Sequence, residues 1–349
     1  MENLKHCTFR LTAVTVLLLA FICAATACNA QATPKRSLLA LSKTNHTLAI
    51  VDPATLTIVA RIPAGEDPHE LVASSDGRIA YVCNYGGGSL HELNLIDLVA
   101  QKPLLNVDTR PLFGPHDISF VNGKAWFTAE GSKSVGRYDP ATGKLDWSMG
   151  TGQDRTHMIH VTADAKKIYT TNVSSGTVSI LVNTLIQPGK MAPPNARPHE
   201  EWVHSIVPTA RGSEGFDVSP DGNELWTASS EDGTISIIDL NEKKLSAKID
   251  AKVFGANRLK FTPDGKLIFI SSLQTGELTI YDPRLHKEVK RLKLGKGAAG
   301  ILMDPVGARA FVACSADNYI AIVDLATLEV TSHLDVGGVP DGLAWATQP

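Results

Sequence analysis

The sequence predicts an all-β fold, a seven-bladed β-propeller of four-stranded antiparallel blades, with the ring closed by N-terminal strands pairing with the C-terminal strand. Three observations predict it. A segment of about 42 residues recurs along the chain; most copies place a tight turn between two short apolar runs; and the chain's two ends hold complementary fragments of one copy.

The recurrences begin at His69 ("HELVASSDGRIAYVCN"), His116 ("HDISFVNGKAWFTAE"), His157 ("HMIHVTADAKKIYTTN"), Glu214, Asn257, Ala299 and Asp341, the last cut short by the C-terminus. Within each, a first strand leads through a turn such as Pro220-Asp221-Gly222 to a second strand. A third strand such as "TISIIDL" ends near an aspartate, and a segment such as "ATLEVTSHL" supplies the fourth. One such sheet cannot bury both faces alone, so repetition around an axis is required. "SLLALSK", "HTLAIVD" and "LTIVARI" offer three strands without a first, and the segment from Asp341 offers a first without the rest. Joined, they complete the ring as a single domain over 37–346.

Residues 1–32 are set apart from this domain. Lys5 and Arg10 precede an apolar run from Leu11 to about Ala27, the anatomy of an export signal. Ala25-Thr26-Ala27-Cys28 resembles a bacterial lipobox, with lipidation at Cys28; Ala30-Gln31-Ala32 instead suits cleavage before Thr33. The first reading is preferred and both stay open. The expectation is a periplasmic or cell-envelope protein, monomeric, touching the membrane only through a lipid anchor. Of five cysteines only Cys83 and Cys314 remain in the body, both in strand-like runs, so buried thiols are expected rather than a disulfide frame. At 349 residues and 43% hydrophobic composition the chain can bury a large core. A formal charge of −3 offers no basic field for nucleic acid. No Cys-x-x-Cys-His haem attachment occurs in the body.

"DGRIAYVCNYGGGSL", "KKIYTTNVSSGTVSIL" and "DGTISIIDL" resemble the YVTN-type β-propeller repeat over essentially all of 37–346. "PHELVASSDGRIAYVCNYGGGS" is similar to one blade of the propeller lactonases that include 6-phosphogluconolactonase. "GPHDISFVNGKAWFTAEGSKSVGRYDPATG" is similar to one blade of virginiamycin B lyases. These resemblances imply the fold; each enzyme likeness covers about one blade and carries no activity over.

Aligning the turns puts one residue of each blade at the start of its innermost strand: His69, His116, His157, Glu214, Asn257, Ala299 and Asp341. These should crowd one mouth of the central channel. Second-strand ends would add Asn84, Tyr85, Glu130, Asn172, Glu231 and Gln274, and entry loops Arg110, Arg155, Arg211 and Arg258. The histidines stand 47 and 41 residues apart, a spacing that acquires meaning only through the repeat.

Three readings stay open. His69, His116, His157 and Glu214 could hold one divalent metal ion and its water, with Glu70, Asp117 or Glu130 orienting the imidazoles. The ring could be hydrated and structural. Or His116 and His157, with Glu214 or Glu130, could act as acid and base without metal. In the enzyme readings Arg155 and Arg211 hold an anion, with Asn84, Tyr85, Asn257 and Arg258 also contacting substrate. The expected function is then a metal-assisted hydrolase or lyase on a small anionic or lactone-type molecule. The alternative is a non-catalytic propeller binding a small ligand or an envelope protein.

Other features read as structural. His160, an odd number of residues from His157, should pack against its neighbours, and Trp126, Trp226 and Trp345 between blades. "PGKMAPPNARPHEEW" (188–202) interrupts the third and fourth strands of one blade and should project from the face opposite the mouth. "GGG" at 86–88 precedes no helix and is not a phosphate loop.

Overall fold

The computed structural model describes residues 31–349, and the expected leader up to residue 30, with Cys7, Cys23 and Cys28, lies outside them. Seven antiparallel sheets follow one another, each running outward from an innermost first strand. The first strands are Pro68–Ala73, Pro115–Val121, Thr156–Val161, Ser213–Val218, Ala256–Phe261, Ala298–Met303 and Pro340–Thr347. They head blades numbered here 1 to 7. In blade 7, Pro340–Thr347 pairs with Arg36–Ser42, bringing Leu38 opposite Trp345 and Leu39 opposite Ala344. The terminal fragments therefore close the ring in one sheet, and the closure leaves no blade face without a neighbour.

Buried apolar side chains fall into seven clusters, one per blade interface. Alternation along a strand sends successive side chains to opposite neighbours. Leu39 and Leu41 face blade 1, whereas Leu38 and Ala40 face blade 6. Inner strands thus bury both faces, as in Thr47–Asp52, while outermost strands such as Lys144–Gly150 alternate half-buried and exposed positions. Trp126 and Trp226 are fully buried at two interfaces, and Trp345 packs half-buried between blades 6 and 7. Each large side chain buried this way contributes about 1.5–3 kcal/mol. His160 stacks on Tyr169. Cys83 and Cys314 are buried free thiols.

The aspartates ending third strands have a mechanical role. Asp52, Asp97, Asp139, Asp239, Asp282 and Asp324 each accept the backbone N–H two residues on, turning the chain into the fourth strand. In blade 3, Val182 stands at that position and offers no acceptor. There the hairpin runs on through Thr177–Ile186 and His199–Pro208, carrying the proline-rich loop outward. Blade 1 departs differently, since its outer strand breaks into Lys102–Pro103 and Val107–Asp108. Pro103 lacks the N–H that would continue the ladder.

Candidate functional site

The seven ring positions share one backbone device. In every first strand two residues oppose a single residue of the second, a β-bulge over 69–70, 116–117, 157–158, 214–215, 257–258, 299–300 and 341–342. A bulge bends its strand and re-aims side chains. The first residue of each bulge is the ring residue, and all seven line one cavity of ≈ 310 Å³. Hydroxyls of second strands fix the ring from behind. Thr128 Oγ1 donates to the carbonyl of His157 (2.5 Å), Thr171 to Glu214 (2.6 Å) and Ser271 to Ala299 (2.6 Å). In each case one blade positions the site residue of the next.

The second residue of each bulge faces the neighbouring blade, which explains its identity. Gly300 and Gly342 lie so close to the next strand that a Cβ would sit 2.2 Å from Asp341 O and 2.4 Å from His69 O. Met158 packs there in the core between blades 3 and 4, whereas Glu70 and Arg258 form a floor under the ring. Arg258 reaches across the channel: its Nε donates to Glu70 Oε1 at 3.1 Å, its Nη2 contacts the same oxygen, and its Nη1 donates to Glu214 Oε1 at 3.2 Å. Arg258 is therefore a strand residue and not the loop residue expected from sequence. Glu70 and Asp117, expected to orient imidazoles, have other partners. Glu70 holds Arg258, and Asp117 accepts the N–H groups of Ile118 and Ile159.

A second tier comes from the residue just after each second strand. Lys43, Tyr85, Leu273 and Ser315 occupy that position and line the cavity. Glu130 occupies it in blade 2 and adjoins the cavity through His157. Asn84 and Asn172 come one residue earlier and point elsewhere, since neighbours on a strand face opposite ways. Asn84 donates to Ala64 O and Asn94 Oδ1, and Asn172 bonds Thr156, Thr177 and Ser179. Glu231 and Gln274 come one residue too late, and neither lines the cavity. Arg110 pairs with Asp108 on the surface, and the exposed Arg211 pairs with Glu231 at 3.8 Å. Of the entry arginines, Arg155 does line the cavity. Sequence reasoning missed Lys43, whose signal was its register after the second strand of the closing blade.

The three histidines form a row. His69 and His116 have ring centroids 4.8 Å apart and His116 and His157 3.7 Å apart, with Tyr85 edge-on to the first two. Lys43 Nζ donates to His69 Nε2 at 2.8 Å. An ammonium has no acceptor, so the His69 hydrogen sits on Nδ1, 3.5 Å from Asp67 Oδ2. The neighbouring His69 imidazole is the largest cause holding the Asp67 carboxyl down at about 2.

His157 is clamped. Its Nδ1 lies 3.0 Å from Glu130 Oε2, and its Nε2 lies 3.2 Å from Glu214 Oε1 without hydrogen-bond alignment. Burial opposes its charge, but the two carboxylates outweigh burial and raise its pKa. Glu214 shows the converse, since burial is outweighed by His157, Arg258 and Arg155 and its pKa falls to about 2. Burial, with His157 and His69 alongside, drives His116 well below the usual imidazole range. An imidazole held to its neutral form and one whose charged form is favoured thus lie side by side. His69 Nδ1, His116 Nδ1, His157 Nε2 and Asn257 Oδ1 are all buried without a hydrogen-bond partner. Leaving such atoms unmet costs about 1–3 kcal/mol each, so the cavity is built for something polar.

Among the described residues, His116, Glu130 and His157 could hold a metal ion, their ligand atoms lying within 4.8 Å of one another. The carboxylate in that group is Glu130, where sequence reasoning placed Glu214 with His69. Tetrahedral binding at about 2.0–2.1 Å per nitrogen would need these atoms drawn to about 3.3–3.5 Å apart. It would also displace the proton shared by His157 and Glu130. Wider clefts of ≈ 660 and ≈ 680 Å³ lie between first-strand turns, away from the ring. In the first, Lys266 pairs with Asp264 and Arg284 with Asp282, leaving no unmet buried group.

No protein-family model and no curated protein matches the chain. Solved structures do. The periplasmic gluconolactonase of Pseudomonas aeruginosa superposes with a TM-score of 0.68 at 16% identity, covering 90% of this chain and 99% of that one. A Bacteroides uniformis protein proposed to be a 6-phosphogluconolactonase gives 0.70 at 19% identity, over 89% and 99%. A dihydro-haem d1 dehydrogenase gives 0.60 at 16%, over 88% and 74%. At these identities the likeness shows the propeller fold, shared by proteins of different chemistry.

Proposed function

We propose that the protein is a lactonase-like hydrolase working at the ring cavity. The observation that carries this is the cavity itself, where seven in-register positions converge and four of the lining residues hold a buried polar atom without a hydrogen-bond partner. Two structural neighbours are named for gluconolactone chemistry, which supports the choice. His157, oriented through Nδ1 by Glu130, donates its Nε2 hydrogen to the lactone carbonyl oxygen as negative charge develops there. His116, neutral, takes a proton from the attacking water through its free Nδ1. The acyl C–O bond breaks, the ring oxygen leaves as a hydroxyl with the proton that His116 received, and one water is consumed per hydroxy acid. Lys43 and Arg155 attract an anionic substrate, while Arg258 and Glu70 close the channel beneath it. Glu214, held at about 2, is too weakly basic to move this proton and instead keeps His157 charged.

A metal-assisted version rests on the closeness of His116, Glu130 and His157. Export to the periplasm belongs to the same proposal and rests on the basic and apolar start of the chain. The test is hydrolysis of glucono-δ-lactone followed by pH-stat, with and without chelator, beside metal analysis of the purified protein. Turnover unaffected by chelator and lost in His116→Ala supports the metal-free route. Chelator-sensitive turnover with stoichiometric metal supports the other, and no turnover in either condition overturns the hydrolase.

A further inference from the structure

The ring cavity opens sideways. A groove of ≈ 380 Å³ adjoins it, sharing Tyr85 and Arg155, with Glu130 in its wall. Arg155 Nε donates to Glu130 Oε1 at 2.8 Å, so the groove's wall is bonded to the residue that orients His157. Its floor is main chain. A Cβ on Gly131 would lie 2.3 Å from Gly88 O, and one on Gly114 would lie 2.7 Å from Gly88 Cα, so these turns stack backbone to backbone. Nothing stands within 4 Å of a Cβ on Gly87, at the open side. Lys133 and Asp154, paired at 2.5 Å, sit in the groove with Ser174.

From this we infer that the site has two subsites, and that the groove holds a second hydroxylated, sugar-like unit attached to the group in the ring. The inference rests on the hydrolase reading for the identity of that first group. Tyr85 offers an aromatic edge, while Arg155, Lys133, Asp154 and Glu130 offer planar or charged groups that bond adjacent hydroxyls. No leucine, isoleucine, valine or phenylalanine lines the groove, which excludes an apolar acyl tail. Its walls carry the tight turns Gly86–Gly88 and Glu130–Ser132 instead of a strand edge, so a peptide finds no ladder to join. The ring cavity alone is at the small end of ligand sites, and the groove brings the whole to mid-range. The preferred ligand is therefore a disaccharide-sized aldonolactone or its acid.

Calorimetry with gluconate and with lactobionate tests this on the whole protein, because lactobionate is an aldonate carrying one further sugar. Lactobionate is expected to bind about tenfold more tightly, about 1.4 kcal/mol. The double variant Lys133→Ala/Asp154→Ala should bring the ratio of the two affinities toward one, with far-UV circular dichroism unchanged. Equal affinities in the wild type, or no binding of lactobionate, overturn the second subsite. Tighter lactobionate binding without hydrolysis of either lactone keeps the subsite and removes the hydrolase. Hydrolysis with equal affinities does the reverse.

Discussion

Replacing Arg258 with methionine isolates the floor of the channel. Arg258 is 4% exposed and Glu70 8%, and Arg258 is the one cation hydrogen-bonded to the Glu70 carboxylate among the described residues. Methionine keeps much of the side-chain length and removes the charge, leaving a buried carboxylate unpaired. Breaking a buried pair in this way costs about 3–5 kcal/mol. For a folded unit of roughly 320 residues the unfolding entropy is about 0.7 kcal/mol/K, so Tm should fall by about 4–8 °C. Burial already pushes Glu70 upward, and losing Arg258 pushes it further. A carboxylate whose folded pKa exceeds its unfolded value costs nothing below the unfolded value of 4.5 and more as pH rises toward the folded one. The variant's deficit should therefore be smaller at pH 5 than at pH 7.5, read by circular dichroism melts. Adding Glu70→Gln should recover part of the loss, the remainder belonging to Glu214. A fall below about 1 °C, or simple additivity in the double variant, would refute the plugged channel.

Further expectations can be checked on the same preparation. Glu214, with its folded pKa near 2, contributes stability that is full above its unfolded value of 4.5 and lost as pH falls toward 2. His157, raised above 6.5, contributes stability that is full below 6.5 and lost as pH climbs through its folded value. Above pH 6.5 the His157 contribution should therefore appear as a falling Tm, and His157→Gln should flatten that alkaline slope, read by circular dichroism melts. Gly300→Ala forces a Cβ to 2.2 Å from Asp341 O and should destabilise by about 1–3 kcal/mol in urea melts. Gly189→Ala, with nothing within 4 Å, should be silent in those melts. Thr171→Val removes the hydroxyl that holds the Glu214 carbonyl, and should cost about 1 kcal/mol while lowering kcat for any lactone turned over.

Blade number, strand order and ring closure were legible because each repeats, and a pattern seen seven times survives local exceptions. The exceptions also have local causes in the sequence, with Val182 standing where other blades place a turning aspartate and Pro103 breaking one outer strand. The ring of His69, His116, His157, Glu214, Asn257, Ala299 and Asp341 was legible for the same reason. Its neighbours were not. Asn84 and Asn172 sit one residue before the cavity-facing register, and a strand sends adjacent side chains to opposite faces, so an offset of one exchanges a site residue for a structural one.

The sequence by itself determined the architecture and which seven positions meet at the axis. Only the tertiary structure decided what those residues do together. Bulges place a second residue beside each ring residue, so Arg258 became a floor bound to Glu70 from the far side of the ring. Lys43 reached His69 through the closing blade. Glu130 and Glu214, 84 residues apart in sequence, came to flank one imidazole. Periodicity encodes which residues share a level of the ring. Partners across a channel are set by distances of a few ångströms between blades, and charge states follow those distances.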